Sequence, residues 1–183
     1  MPSDARYDAS PLPVVVHIVS ATVFAILGAF QFSPRIRSRH PGWHRRAGRV
    51  LVVAGLGVAL SALWLNQFFP KAEATREVLY PLRVAFGLAM IVTIVLGFLA
   101  ARRRDFTRHR AWMIRSYAIG LVAGTQVFTL GFGQVIFGTA HLTTALLMAA
   151  AWAINLAVAE RAIRKGARGN RRAPASARLA ASP

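Results

Sequence analysis

The 183-residue sequence contains no cysteine and only six acidic residues, against 23 lysines and arginines. The absence of cysteine excludes disulfides, iron–sulfur clusters and zinc sites with thiolate ligands. The scarcity of acidic residues leaves no pair of carboxylates for hydrolysis, and neither a metalloprotease motif nor a phosphate-binding loop motif occurs. No carboxylate lies inside an apolar segment, which weighs against a proton- or cation-coupled transporter.

What the sequence does contain is five long apolar segments, which cover residues 12–33, 48–69, 79–101, 112–137 and 140–159. Each is about as long as a helix that crosses the hydrocarbon core of a bilayer. Segments of this length in lipid must be helices, because every backbone polar group has to find its partner within the segment. The sequence therefore predicts an all-α integral membrane bundle of five transmembrane helices over residues 12–160.

The regions outside this bundle are polar. Residues 1–11 carry Asp4 and Asp8 and lack a positively charged leader. We therefore expect no cleavable signal peptide, and a first helix that stays in the membrane as an anchor. Residues 161–183 are rich in arginine, alanine and glycine, which is typical of a disordered tail.

The positive charge lies almost entirely on one side of the predicted crossings. The segments after the first and third predicted helices and the C-terminal tail together carry 19 basic and two acidic residues, whereas the opposite side carries four of each sign. The positive-inside rule places the arginine-rich side in the cytoplasm. The sequence thus predicts an N-terminus outside, a cytoplasmic C-terminus and a location in the cell (cytoplasmic) membrane. This topology explains the charge without nucleic acid as a partner.

Four histidines lie near the ends of the predicted helices, in two pairs at matching depth. His17 and His141 lie on the outer side, and His44 and His109 lie on the inner side. A b-type haem in a helical bundle needs two imidazole ligands from different helices, so both pairs are candidate haem ligands. The alternative for the inner pair is an interfacial or lipid-contacting role, and for the outer pair a hydrogen bond between helices. The sequence indicates no other metal site.

Further polar residues lie within the apolar segments. Arg115 lies about one turn inside the fourth predicted helix and needs a partner, for which Gln31 and Asn155 are at a suitable depth. Gln126 lies near mid-membrane, where an unpaired amide is costly. We expect Gln126 to bond another helix or to line a ligand cavity.

Two basic segments resemble each other: HRRAGR, which begins at His44, and HRAWMIR, which begins at His109. They are suited to holding phosphate groups or an acidic partner chain, and the alternative is that they only determine the topology. With the surrounding residues they resemble the family of predicted bacterial membrane proteins named domain of unknown function 2306 (DUF2306). The resemblance covers most of the chain and implies a compact multi-helix membrane domain without naming a reaction. It makes six positions the main functional candidates: His44, Arg49, His109, Trp112, Arg115 and Tyr117.

The sequence leaves two classes of function. The first is a non-enzymatic membrane component, either a small carrier or an accessory subunit. Such a protein contacts anionic lipid head groups or a membrane protein partner through its basic cytoplasmic face. The alternative is a membrane electron-transfer protein that binds haem b. Whether the chain catalyses a reaction does not follow from the sequence.

Overall fold

The computed structural model describes residues 11–69 and 73–172, except for the side chains of residues 73–76 and 169–172. Within these ranges every regular element is a helix, which confirms the predicted all-α class. In chain order the helices are α1 (Leu12–Gln31), α2 (Pro34–Arg39), α3 (Pro41–Phe68), α4 (Glu73–Arg102), α5 (Phe106–Gly120), α6 (Val122–Phe137) and α7 (His141–Arg172).

Among the described residues, four stretches of helix are long and apolar enough to cross a membrane: Leu12–Gln31, Pro41–Phe68, Glu77–Arg102 and His141–Arg168. The helices α5 and α6 pass the same test only together, and they are bent by 44° relative to each other. Counted as one bent span, this pair gives the five crossings that the sequence predicted. The fourth predicted helix is therefore broken, where the sequence indicated a continuous one.

The break lies at Leu121, which has φ −84° and ψ 5°. Its N–H still donates to the Tyr117 carbonyl at 3.0 Å, but the Gly124 N–H donates to the Leu121 carbonyl at 3.1 Å, which is a tighter turn. Next to this turn, the Ala118 carbonyl accepts a side-chain hydrogen bond from Asn155 Nδ2 at 2.9 Å. An unsatisfied carbonyl is costly in lipid, so the Asn155 amide makes the break tolerable.

Three helices, α3, α4 and α5, begin earlier than the apolar segments that predicted them. The first residue of α3 is Pro41 and the first residue of α5 is Phe106. Proline is well suited to the first turn of a helix, and the arginines and alanines that follow are good helix formers. As a result, His44 and His109 lie inside helices, about one turn from the start. The sequence had placed both just before a helix.

The last helix also extends further than expected. Residues 161–172 continue α7 as far as Arg172, where the sequence predicted a disordered tail. Alanine, arginine and lysine favour helix, and elongation of an existing helix carries no nucleation cost. The remainder of the two predicted terminal segments, residues 1–10 and 173–183, lies outside the described residues.

The helices α1, α3, α4 and α5 pack around one core, and α7 packs on α4 and α5. The buried side chains of this core include Phe24, Ile94, Ile119 and Trp152. The indole of Trp152 stacks on the ring of Phe86 with centroids 4.5 Å apart, which joins α7 to α4. By contrast, α6 packs mainly against α7 and leaves most of its apolar side chains exposed.

Candidate functional site

Three arginine-rich segments meet at one end of the bundle, and this end is called the basic end. They are residues 31–49 at the end of α1, in α2 and at the start of α3, residues 102–115 at the end of α4 and in α5, and residues 160–168 of α7. The guanidinium of Arg110 lies against Gly166 of α7, with Nη1 2.6 Å from where a Cβ of residue 166 would be. Arg37 lies on α2 and His109 lies on α5, and both helices pack on α3, which carries His44.

Arg115 is held at the basic end by an ion pair. Its Nε donates to Oε1 of Glu160 at 2.6 Å, and its Nη2 donates to Oε2 at 3.1 Å. The guanidinium also lies over the Trp112 ring, 4.9 Å from the ring centroid. The two charged side chains are 27% and 35% exposed, so water screens the pair less than it screens a surface ion pair. The partner of Arg115 is thus Glu160 on α7, and not Gln31 or Asn155.

The inner histidines have different surroundings. His109 donates from Nδ1 to the Gly97 carbonyl of α4 at 2.8 Å, which holds its ring against that helix. Nδ1 of His44 is buried and has no hydrogen-bond partner among the described residues, and the same is true of Nε2 of Gln31 at the end of α1. The basic end therefore contains both histidines. It also contains two buried polar atoms that the described residues leave unpaired, one on His44 and one on Gln31.

Tyr117 joins α5 to α1. Its hydroxyl donates to the Ala25 carbonyl at 2.8 Å. Its ring packs on Phe24 and Phe32, with centroids 5.8 Å and 5.0 Å away. The ring also lies against Gly28 so closely that any side chain at residue 28 would overlap it. In this geometry Tyr117 serves the packing of two helices.

The outer histidines lie on helices with different neighbours. His17 Nδ1 lies 3.0 Å from Oγ of Ser61 on α3, and the Ser61 hydroxyl donates to the Gly57 carbonyl at 2.5 Å. Because the hydroxyl proton is used there, the His17 ring is the donor. His141 is exposed at the start of α7, which packs on α4, α5 and α6, whereas α1 packs mainly on α3 and α5. For His17, the hydrogen bond between helices is present.

The histidine contacts give the haem alternative no support beyond the sequence pattern. Haem ligation needs two imidazoles that face each other across one porphyrin. His17 and His109 form hydrogen bonds to Ser61 and Gly97. Among the side chains that the structure describes, no group of three or more histidine, aspartate or glutamate residues is placed to hold a metal ion.

Asn155 holds the two halves of the bent span together. Besides its bond to the Ala118 carbonyl, its Oδ1 accepts from Thr125 Oγ1 at 2.7 Å, so one amide contacts both α5 and α6. Gln126 follows Thr125, and its Nε2 is buried without a hydrogen-bond partner in the described part of the chain. Sequence reasoning recognised Asn155 as a polar residue in an apolar segment but assigned it the wrong partner, Arg115.

The surface of the bundle is rich in large apolar side chains. They occur on every long helix, and Val135 of α6 is 86% exposed. Such a surface is unfavourable in water and suits hydrocarbon. Together with four long apolar helices and one bent pair, it defines a multi-pass integral membrane protein that lies in a lipid bilayer.

The family described as predicted membrane protein (DUF2306) matches residues 14–163. The chain belongs to this family, and the match covers all five predicted crossings except the first two residues of the first segment. No curated protein and no solved structure is significantly similar to the chain.

Proposed function

We propose that this protein is a non-enzymatic accessory component of the cytoplasmic membrane that binds anionic lipid head groups through its basic end. The basic end then faces the cytoplasm and the start of α1 faces outward, as the positive-inside rule requires. The observation that carries the proposal is that the protein itself neutralises little of the positive charge at this end.

Two carboxylates lie at the basic end among the described residues. Asp105 pairs with Arg108 at 3.4 Å, and Glu160 pairs with Arg115 at 2.6 Å. The other arginines and the lysine of residues 35–49, 102–110 and 161–168 are exposed and form no ion pair in the part of the chain that the structure describes. Each such cation near an anionic membrane surface contributes about 1 kcal/mol to binding.

The same carboxylates favour binding over catalysis. Asp105 caps α5 by accepting from the Arg108 N–H at 3.0 Å. Both oxygens of Glu160 accept from Arg115. Both carboxylates are therefore engaged by arginine side chains in this geometry. Exposed guanidinium groups, by contrast, are well suited to hydrogen-bonding phosphate oxygens.

The binding test uses three exposed arginines of α3, Arg45, Arg46 and Arg49. They are replaced together by glutamine, and together by lysine as the matched control that keeps the charge. The full-length protein in detergent is titrated with phosphatidylglycerol or phosphatidylcholine, and bound lipid is counted by native mass spectrometry. We expect the glutamine variant to bind phosphatidylglycerol at least about tenfold more weakly than wild type. The lysine variant should bind nearly as well as wild type.

Two results would contradict the proposal. One is equal affinity of the glutamine variant and wild type for phosphatidylglycerol. The other is equal affinity of the wild type for both lipids, because a charge-based site must prefer the anionic one.

The orientation is tested separately with reporter fusions at the two termini of the full chain. We expect the two reporters to lie in opposite compartments, with the C-terminal one in the cytoplasm, because an odd number of crossings separates the chain ends. A C-terminal reporter outside the cell would refute the orientation, and two reporters in one compartment would refute the five crossings.

A further inference from the structure

The basic end contains two buried polar atoms without a hydrogen-bond partner among the described residues, Nε2 of Gln31 and Nδ1 of His44. Folded proteins pair nearly all such atoms, because a buried donor without an acceptor is costly. Two of them at the same end of one bundle therefore need a common explanation.

The pairing of α1 with α3 places the two atoms at similar depth. The two helices run antiparallel, with His17 beside Ser61, so that Gln31 comes level with Ala47. His44 lies three residues nearer the basic end than Ala47, which is about one helical turn, or ~4.5 Å. Ala47 is buried, and a residue three positions away lies on nearly the same face of the helix. Gln31 and His44 thus both lie on inward-facing parts of adjacent helices.

The charges around these atoms are positive. Arg37 lies on α2, which packs on α3, and Arg45 and Arg46 directly follow His44 in α3. Asp105, the acidic residue at the start of α5, is paired with Arg108. A cluster of donors in a positive environment disfavours a metal cation and favours an anion with several acceptor oxygens.

We propose that Gln31 and His44 are the buried donors of a site for a phosphate group, with Arg37 supplying positive charge beside it. In the tautomer that carries its proton on Nδ1, His44 donates to one phosphate oxygen, the Gln31 amide donates to another, and the exposed Arg37 guanidinium lies at the rim. The site rests on the proposed function if the phosphate belongs to a lipid, because the basic end must then lie among the lipid head groups. The other source of the same chemistry is a soluble phosphate.

The test follows thermal unfolding of the full-length protein in detergent. One probe is inorganic phosphate, compared with chloride at the same ionic strength. The other is short-chain phosphatidic acid, compared with the uncharged short-chain diacylglycerol. The variants Gln31→Leu and His44→Leu each remove one donor at similar size. His40→Leu is the matched control, because it removes an exposed imidazole at the same end.

We expect a phosphate-bearing probe to raise the Tm of the wild type and of His40→Leu. A rise with both probes assigns a general phosphate site, and a rise with phosphatidic acid alone assigns a lipid head-group site. Without a probe, Gln31→Leu and His44→Leu should each unfold at the wild-type Tm or above, because the unpaired donor is gone. Each of them should bind the probe about tenfold more weakly than the wild type. An equal response of these variants and the wild type, or no response of the wild type to either probe, overturns the site.

Arg37→Gln keeps the test decisive if a leucine variant does not fold, because Arg37 is exposed. It should weaken probe binding several-fold, and full retention of binding would count against the site. The outcome is separable from that of the proposed function. If the phosphate site fails while the Arg45, Arg46 and Arg49 glutamine variant still loses phosphatidylglycerol, only the site is refuted.

Discussion

Replacing Glu160 by glutamine should destabilise the bundle, because Arg115 keeps its charge at a partly buried position after losing its anion. The pair joins α5 to α7 through two hydrogen bonds, of 2.6 Å and 3.1 Å. These two helices are distant in sequence, so the ion pair contributes directly to the tertiary packing of the basic end.

The magnitude follows from the exposure of the two side chains. Fully exposed ion pairs contribute about 0.2–1 kcal/mol, whereas breaking a buried pair costs about 3–5 kcal/mol. At 27% and 35% exposed, this pair lies between the two cases, and the Trp112 ring shields one face of the guanidinium from water. We expect Glu160→Gln or Arg115→Gln to lower the free energy of unfolding by about 1–2 kcal/mol.

The assay is a double-mutant cycle on the detergent-purified protein, with unfolding followed by tryptophan fluorescence. The cycle of Arg115→Gln and Glu160→Gln should give a coupling free energy of about 1 kcal/mol or more. The control cycle is Asp105→Asn with Arg108→Gln, since asparagine preserves the helix cap. That pair is 3.4 Å apart with side chains 38% and 79% exposed, so its coupling should be below about 0.5 kcal/mol. A coupling at Arg115 and Glu160 no larger than in the control would refute the reasoning.

Three further predictions concern stability and are checked by the Tm in detergent. Asn155→Ala should lower the free energy of unfolding by about 1–2 kcal/mol, because the amide bonds both halves of the bent span; an unchanged Tm would contradict this role. Gly28→Ala should cost about 1–3 kcal/mol because its Cβ meets the Tyr117 ring, whereas Gly124→Ala, which meets nothing within 4 Å, should gain up to about 1 kcal/mol. Equal effects of the two alanines would argue against the packing of α5 on α1. Arg104 has φ 59°, so Arg104→Gly should stabilise the α4–α5 connection by about 1 kcal/mol, and a lower Tm would contradict that strain.

The candidate site was only partly predictable. Charge placement along the chain was enough to bring Arg37, His44, His109 and Arg110 to one end, because antiparallel helices return the chain to the same side at every second connection. Which polar atoms at that end lack a hydrogen-bond partner could not be predicted. Whether a histidine nitrogen is paired, as in His109, or buried without a partner, as in His44, depends on which helix packs beside it.

The sequence by itself determined that the chain is helical and lies in lipid, because each apolar segment must satisfy its own backbone hydrogen bonds over the thickness of a bilayer. Only the tertiary structure decided the break at Leu121. The Ala118 carbonyl beside the break is bonded by the Asn155 amide of α7, which is distant in the sequence. The tertiary structure also decided that Arg115 pairs with Glu160, because residues 45 positions apart meet only when α5 packs on α7. Local composition sets which segments cross the membrane, whereas contacts between distant segments set how those crossings bend and which charges they neutralise.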